Sequence, residues 1–346
     1  MGMAMATRIG PQTRAVRYEL IAGPFVGELG YEVGRWLPCV RRAVALREWD
    51  AVTVYCQAGH EPLYAWLEGA ECVPFVFDYA TSQQEGTGFV AKRAAPALAQ
   101  YQAAADAIAE QAADRVRRGV AVTHLTVPRT AAVEPQNEPD PAPLHIAAGP
   151  EAVERWARRL PPDPVIIGYR GYQRGPSKNT RTDILNAMPG LLDERGYNSV
   201  VVGLTELPIP AVPGALNLIN RTQLGDLVAL LSLARCAVGA SSGTMHVASA
   251  VGVPHVTWGG DNWGPRTQAR YESEWNPNGT PVRFLETPGY GWEIEPERAA
   301  DAVTAIARAA TGRKPVHHVV DPMDAWEQLN RRVDALEARL KGPPAN

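Results

Sequence analysis

The chain has 346 residues, 45% hydrophobic and 21% charged, with a formal net charge of -3. That length exceeds what one small core serves and fits two domains of ordinary size. The slightly acidic balance speaks against a general nucleic-acid binder, which needs a strong basic excess, and no apolar run is long enough to span a bilayer.

The first twelve residues, Met1 to Gln12, lack the apolar core of a signal peptide, so a cytoplasmic location is expected. The four cysteines, Cys39, Cys56, Cys72 and Cys236, are scattered with no CxxC pair and read as reduced, mostly buried thiols. Residues 16–22 form the first credible strand, and the turn Gly23-Pro24-Phe25-Val26-Gly27-Glu28-Leu29-Gly30 follows it. Val33, Leu37, Val40 and Val44 then recur at helical spacing. Glycines let a backbone approach a ligand closely, and Glu28 sits at the tip of the turn.

Strands at 51–57 and 72–77 come next, ending in Ala58-Gly59-His60-Glu61 and Asp78-Tyr79. Loops at the carboxyl ends of parallel strands line the cleft of an open α/β sheet, which makes His60 and Asp78 acceptor-side candidates. Residues of these types at strand ends are more often caps or structural groups. Residues 90–118 are Ala-rich and helical, closing on Arg115, Arg117 and Arg118, a cluster read first as a solvated helix end. A strand at 120–127, a polar proline-rich loop at 128–143 and a short helix at 149–160 complete a first domain, residues 1–160. The stiff Pro161-Pro162-Asp163-Pro164 marks its end.

The pattern then restarts. A strand at 165–169 runs into a loop, residues 170–181, holding four cations, Arg170, Arg174, Lys178 and Arg181, beside two glycines. Thr182-Asp183 caps a helix at 184–194, a strand at 198–203 ends near Thr205-Glu206, a short strand occupies 216–219, and an amphipathic helix 222–234. Cys236-Ala237-Val238-Gly239 reads as a buried strand, Ser241-Ser242-Gly243-Thr244 opens a short helix at 245–251, and Gly252-Val253-Pro254 launches another strand. Unpaired amides, hydroxyls and the positive end of a helix dipole converge at that turn, a natural seat for a phosphate or diphosphate. Beyond Trp258 come a glycine-rich loop at 259–266, a polar segment to Gly279, a strand at 282–285 and a helix at 295–310, closing a second domain at 161–320. Asp321-Pro322 starts a last helix in which Trp326, Leu329, Val333, Leu336 and Leu340 repeat at three and four; this piece, 321–346, is expected to pack back on the body. Two strand–turn–helix series in tandem imply an α/β protein of two Rossmann-like, doubly wound domains facing across a cleft.

The string Ser242-Gly243-Thr244-Met245-His246-Val247-Ala248, followed by Ala250-Val251-Gly252-Val253-Pro254, resembles the Ser-Gly-Pro-Met-His-Leu-Ala…Leu-Gly-Val-Pro signature of bacterial heptosyltransferases. These form glycosyltransferase family 9, of GT-B architecture; Thr244 stands where that family usually has Pro. The resemblance implies a nucleotide-sugar donor in the second domain, an acceptor in the first, and a C-terminal helix crossing back to the first. It implies Ser241, Ser242, Gly243, Thr244 and His246 around the donor diphosphate, although His246 also reads as a buried, hydrogen-bonded residue. The family's lysine after the first strand of the second domain has its nearest match in Lys178. The Trp that follows it there is replaced by Asn179-Thr180, leaving Arg174 or Arg181 as substitutes in a loop that also holds Arg170. Glu206 falls where the family shows Gly then Glu, and where a carboxylate reaches a ribose hydroxyl. Gly27-Glu28 corresponds to a Gly-Asp turn whose carboxylate is the general base. This makes Glu28 the catalytic candidate, with Glu32 or Asp78 behind it and Glu32, His60 and Asp78 towards the acceptor.

Moving a sugar off a nucleotide requires the growing charge on the diphosphate to be met, by a metal or by fixed cations and dipoles. The sequence offers no Asp-x-Asp loop and no His/Cys cluster of ligand spacing, so the second route, with no metal cofactor, is expected. One base and direct displacement imply inversion at the anomeric carbon. The expected function is thus a metal-independent, inverting glycosyltransferase. Its acceptor hydroxyl lies on a glycan, a small molecule or, in one version, a hydroxymethylated pyrimidine of DNA, without stable membrane insertion. A nucleotide-sugar epimerase, using His60, Asp78 and His246 as acid–base groups, and a non-catalytic nucleotide-sugar binder are the competing readings.

Overall fold

The computed structural model describes residues 16–25, 27–76, 95–126, 144–172, 179–260, 266–276, 278–287 and 292–310. Two parallel sheets organise them. The first holds β1 (Arg17–Ala22), β2 (Ala51–Gln57), β3 (Glu71–Phe75) and β4 (Val120–Leu125) in the order β3-β2-β1-β4. The second runs β10-β9-β8-β5-β6-β7, built from β5 (Pro164–Gly171), β6 (Asn198–Thr205), β7 (Ala215–Asn217), β8 (Cys236–Ala240), β9 (His255–Trp258) and β10 (Val282–Leu285). In each sheet the order reverses beside the founding strand, β1 between β2 and β4 and β5 between β6 and β8. Such a reversal opens a crevice at the carboxyl ends of the strands, where ligands of open α/β sheets bind.

The apolar runs explain the second sheet. Val165-Ile166-Ile167, Val200-Val201-Val202 and Cys236-Ala237-Val238 are buried at every position, as strands covered by helices on both faces must be. Alternate residues supply the two faces. Ile166, Val200 and Ala237 join a core with Val228, Met245 and Val247, whereas Val165, Ile167, Val201 and Val238 join one with Ile184, Met188 and Val303. The first of these cores also contains Phe25, Trp36, Leu37 and Val40, so the helix after β1 shares one apolar body with the second sheet's helices.

That helix, α1, begins at Leu29–Tyr31, passes through a π-helical turn at Glu32–Trp36 and continues as Leu37–Ala45. The others are α2 (Ala95–Arg117), α3 (Pro150–Ala157), α4 (Thr182–Asp193), α5 (Leu224–Ser232), α6 (Gly243–Val251), α7 (Gln268–Glu274) and α8 (Pro296–Ala309), with a 3₁₀ turn at Glu61–Tyr64. Reciprocal bonds between Gln223 and Asp226 cap α5. Gly252, at φ +84°, ends α6 in the left-handed conformation that only glycine adopts without strain. Asp226 also ties α3 to α5, accepting from Trp156 Nε1 at 2.8 Å and Arg155 Nη2 at 2.6 Å.

Several expectations change. α1 starts four residues before Val33, because the apolar repeat misses its first turn. β5 runs on to Gly171, paired with Thr205, so Arg170 belongs to a strand rather than a loop. Thr182 and Asp183 lie in the first turn of α4 and Arg181 is its cap position, which sets the Asp183 carboxylate against the helix dipole. α7 occupies part of the polar segment before Gly279, where the sequence predicts no element; the Thr267 hydroxyl caps it by accepting from Arg270 N at 3.2 Å. The 128–143 loop and the helix expected within 321–346 lie outside the described residues. The four cysteines are free thiols; burial pushes Cys39 up to about 11 and Cys56 and Cys236 up to about 12, which keeps them protonated. Among the described residues no helix is long and apolar enough to cross a membrane.

Candidate donor and acceptor cleft

The carboxyl ends of β1, β5, β8 and β9 carry the residues of interest. Ser241 follows β8, held by its amide on Trp258 O at 2.7 Å, and Ser242 caps α6 with its backbone, its carbonyl accepting from Met245 N at 3.0 Å and His246 N at 3.1 Å. The Ser242 hydroxyl makes no capping bond. Ser241, Ser242 and Gly243 remain partly exposed, so the α6 tip is not sealed inside the protein.

The first sheet's turn meets this tip. A Cβ added to Gly243 would lie 3.0 Å from Leu29, and one added to Gly30 would lie 2.6 Å from the His246 ring. Both positions are glycine because α1 crosses α6 at near contact. Tyr31 sets its ring edge against Trp275 at 5.5 Å between centroids. Glu28 caps α1 without using its side chain and is exposed.

Across from it stands Arg170, the penultimate residue of β5. Its Nη1 donates to Asn179 Oδ1 at 2.7 Å, and its guanidinium lies 4.8 Å from the Tyr172 ring centroid. Burial lowers the Arg170 guanidinium from its ordinary value, opposed by the fields of Tyr172, Glu28 and Glu206. The charges of two sequence candidates, Glu28 and Glu206, thus both act on this cation. The neck of the basic loop is closed by Asn179, which accepts from Tyr172 N at 3.0 Å and donates to Tyr172 O at 2.7 Å, and by Thr180, whose hydroxyl accepts from Arg170 N at 3.1 Å. Arg174, Lys178 and Asp78 lie outside the described residues. Arg181 is exposed and bound to Asp183 at 2.9 Å and 2.5 Å, with Glu293 at 3.4 Å. Its charge serves the start of α4. Glu206 is exposed just past β6, its amide on Gly171 O at 2.8 Å.

Three candidates point inward. Thr244 is buried, with its methyl beside Gly168 of β5. His246 is buried, stacks on Tyr271 and lies tilted against Trp275; burial, then the charge of Arg266, pushes it down to about 3, so it is neutral near pH 7. Glu32 does not line the cleft as expected. The π-helical turn carries it fully inside, where Oε1 accepts from Tyr64 Oη at 2.7 Å and Oε2 from His60 Nδ1 at 2.5 Å. Burial lowers His60, but the bond to Glu32 and the charges of Glu32 and Glu61 outweigh it and leave the imidazole raised from 6.5. Its side chain keeps 17% exposure.

Sequence reasoning missed Arg266. Its Nη1 donates to Ser241 Oγ at 2.7 Å, and its guanidinium lies 4.8 Å from the Trp275 ring centroid and 5.5 Å from that of Trp292. The signal was present, since the loop ending at Arg266 is glycine-rich and follows a strand. The Arg115, Arg117 and Arg118 cluster is tied up locally, Arg115 on Glu19 at 2.8 Å and the other two on Asp114. Among the described residues no group of three or more His, Cys, Asp or Glu side chains is placed to hold a metal ion.

The family model for glycosyltransferase family 9 (heptosyltransferase) matches residues 206–280, the stretch that carries β8, the α6 tip and Trp275. No curated protein sequence matches the chain. Among solved structures, the glycosyl transferase family 9 protein of Veillonella parvula superposes with a TM-score of 0.54 at 14% identity, over 85% of this chain and 98% of that one. The ADP-heptose LPS heptosyltransferase II of E. coli gives 0.53 at 15% identity, over 85% of this chain and 99% of that one. The fold is GT-B, and the chain resembles heptosyltransferases in sequence over one segment and in fold over most of its length.

Proposed function

We propose that the chain, a GT-B glycosyltransferase similar to the heptosyltransferases, transfers a sugar from a nucleoside diphosphate to an acceptor hydroxyl with inversion and without a metal. The observation that carries this reading is the close approach of Leu29, next to Glu28 in the turn after β1, to Gly243 at the partly exposed α6 tip, which lies within the stretch that the family model matches. The donor diphosphate sits against the Ser242 and Gly243 amides and the Ser241 and Ser242 hydroxyls with Arg170 alongside; Arg174 and Lys178 of the basic loop complete the anion site, and Glu206 takes a ribose hydroxyl. The nucleotide sugar is ADP-heptose or a close relative, the donor named for the E. coli enzyme that this fold resembles.

The acceptor, a glycan hydroxyl, enters from the first sheet past His60. Its oxygen bonds to the anomeric carbon as the bond from that carbon to the diphosphate oxygen breaks. The electron pair leaves on the diphosphate, and the hydroxyl proton passes to the Glu28 carboxylate. Glu32 acts behind His60, holding its ring.

Replacing Glu28 by Gln keeps size and removes the base. Transfer should fall by about 10²- to 10⁴-fold, the range for loss of a general base, while nucleotide affinity stays near that of the wild type. Near-normal transfer by Glu28→Gln, or retention at the anomeric carbon by NMR of the product, would refute this mechanism. Full activity in the presence of a chelator is expected.

A further inference from the structure

Resting on the reading just given, we infer that Arg266 is a catalytic residue: its guanidinium contacts the donor diphosphate and neutralises the charge that arrives there as the sugar–oxygen bond breaks. Nothing in the signature or the basic loop points to it; its placement does.

Arg266 is held from three directions. Ser241 Oγ accepts from Nη1 at 2.7 Å, the Trp275 indole lies on one side at 4.8 Å and the Trp292 indole at 5.5 Å. Trp292 packs where Gly259 leaves room, since a Cβ there would come within 2.9 Å of its ring and 3.4 Å of Ser241. The ends of β8 and β9, the α6 approach and two indoles thus converge on one cation. A planar guanidinium suits this seat where an ammonium does not, because it stacks on aromatic faces and still presents donors in its plane.

The bond to Ser241 fixes how the seat is used. The hydroxyl is the acceptor there, so its own hydrogen is directed elsewhere, and the Ser242 hydroxyl one residue on makes no cap. Guanidinium, two hydroxyls and the first amides of α6 therefore gather at one spot, a donor-rich surface matched to phosphate oxygens. The other cations described in the cleft are differently engaged. Arg170 donates to Asn179 and lies in the fields of Glu28 and Glu206, and Arg181 is bound to Asp183 and Glu293. The clamp also reaches the turn after β1, because Trp275 meets the Tyr31 ring edge-on. A cation pre-oriented in this way needs no rearrangement as charge develops on the leaving group.

The test compares Arg266→Gln, which removes the charge, Arg266→Lys, which keeps it without the planar stack, and Ser241→Ala, which removes the anchor together with one hydroxyl of the anion site. The probes are ADP, GDP, UDP and dTDP and their parent nucleosides, titrated calorimetrically, with kcat/KM measured on the corresponding nucleotide sugar. For the diphosphate that binds the wild type best, Arg266→Gln should weaken affinity about ten- to hundredfold and Arg266→Lys less, as for loss of a charge-assisted bond. Nucleoside affinity should move less than about threefold, and kcat/KM should fall about 10²- to 10³-fold. Ser241→Ala should give a smaller loss in the same direction and should lose part of its effect in an Arg266→Lys background, as coupled groups do; Arg266→Lys stands in if Arg266→Gln does not fold. Equal loss for nucleoside and diphosphate, or wild-type diphosphate binding by Arg266→Gln, would overturn the inference while leaving the transferase reading intact. Failure of the wild type to bind any of the four diphosphates would overturn both.

Discussion

Gly30→Ala is the sharpest probe of how the two sheets meet. Gly30 is buried in the first turn of α1, and a Cβ there lies 2.6 Å from His246 Cδ2 and 3.1 Å from Nε2. Carbon atoms pack at about 3.5–4.0 Å, so the methyl overlaps the ring by about 1 Å. The ring has little room to move, being 6% exposed, stacked on Tyr271 and tilted against Trp275. In a free helix, Gly to Ala is worth up to about 1 kcal/mol in favour of Ala, whereas overpacking costs about 1–3 kcal/mol. The net expectation is a loss of about 1–2 kcal/mol, read from urea midpoints with an unchanged slope. Paired with His246→Ala, which removes the obstruction, Gly30→Ala should lose its penalty, giving a coupling of about 1 kcal/mol or more in the double-mutant cycle. Stabilisation by Gly30→Ala alone, or additivity with His246→Ala, would refute the contact.

The pH dependence of stability has two limbs. His246 and His255, pushed by burial down to about 3 and about 4 from 6.5, favour the native state fully above 6.5. That contribution is lost as pH falls from 6.5 towards 4, by up to about 1.4 kcal/mol per pH unit for each group. His255→Gln should flatten this acid limb in urea titrations across pH. His60 works in the opposite sense, since its raised value adds stability below 6.5 that disappears as pH rises through the folded value. His60→Gln should remove that loss on the alkaline side. Asp226→Ala deprives Trp156 Nε1, Arg155 and the Gln223 amide of one shared acceptor, and should cost about 1–3 kcal/mol of unfolding free energy. A change in Trp156 fluorescence should accompany it.

The second sheet was legible because its strands announce themselves. Val165-Ile166-Ile167 and Val200-Val201-Val202 cannot be mistaken for amphipathic helix, and the Ser-Gly turn before Met245 fixes where the next helix begins. α7 was not legible: in Gln268–Glu274 only Tyr271 is buried, and a single buried position in seven leaves no period to read. Glu32 looked like a cleft residue because a carboxylate beside a glycine turn usually is exposed. Its partners His60 and Tyr64 lie 28 and 32 residues away, across β2, and the π-helical turn that swings it inward has no sequence mark. Arg266 was hidden for a related reason. Its loop is evident, but Trp275 and Trp292, which hold the guanidinium, are brought to it only by α7 and by the chain beyond β10. Residues that act through distant partners escape periodicity, whereas strands and turns do not.

The most direct measurement follows the two products of one turnover. Wild-type protein is incubated with ADP-heptose and other nucleotide sugars and with candidate glycan acceptors, and nucleoside diphosphate and glycosylated acceptor are quantified together by mass spectrometry. One mole of acceptor glycosylated per mole of nucleoside diphosphate released, with neither formed when acceptor is omitted, is the expected result. Nucleoside diphosphate released without acceptor, an isomerised sugar still attached to nucleotide, or no turnover with any donor would contradict the assignment of this cleft to glycosyl transfer.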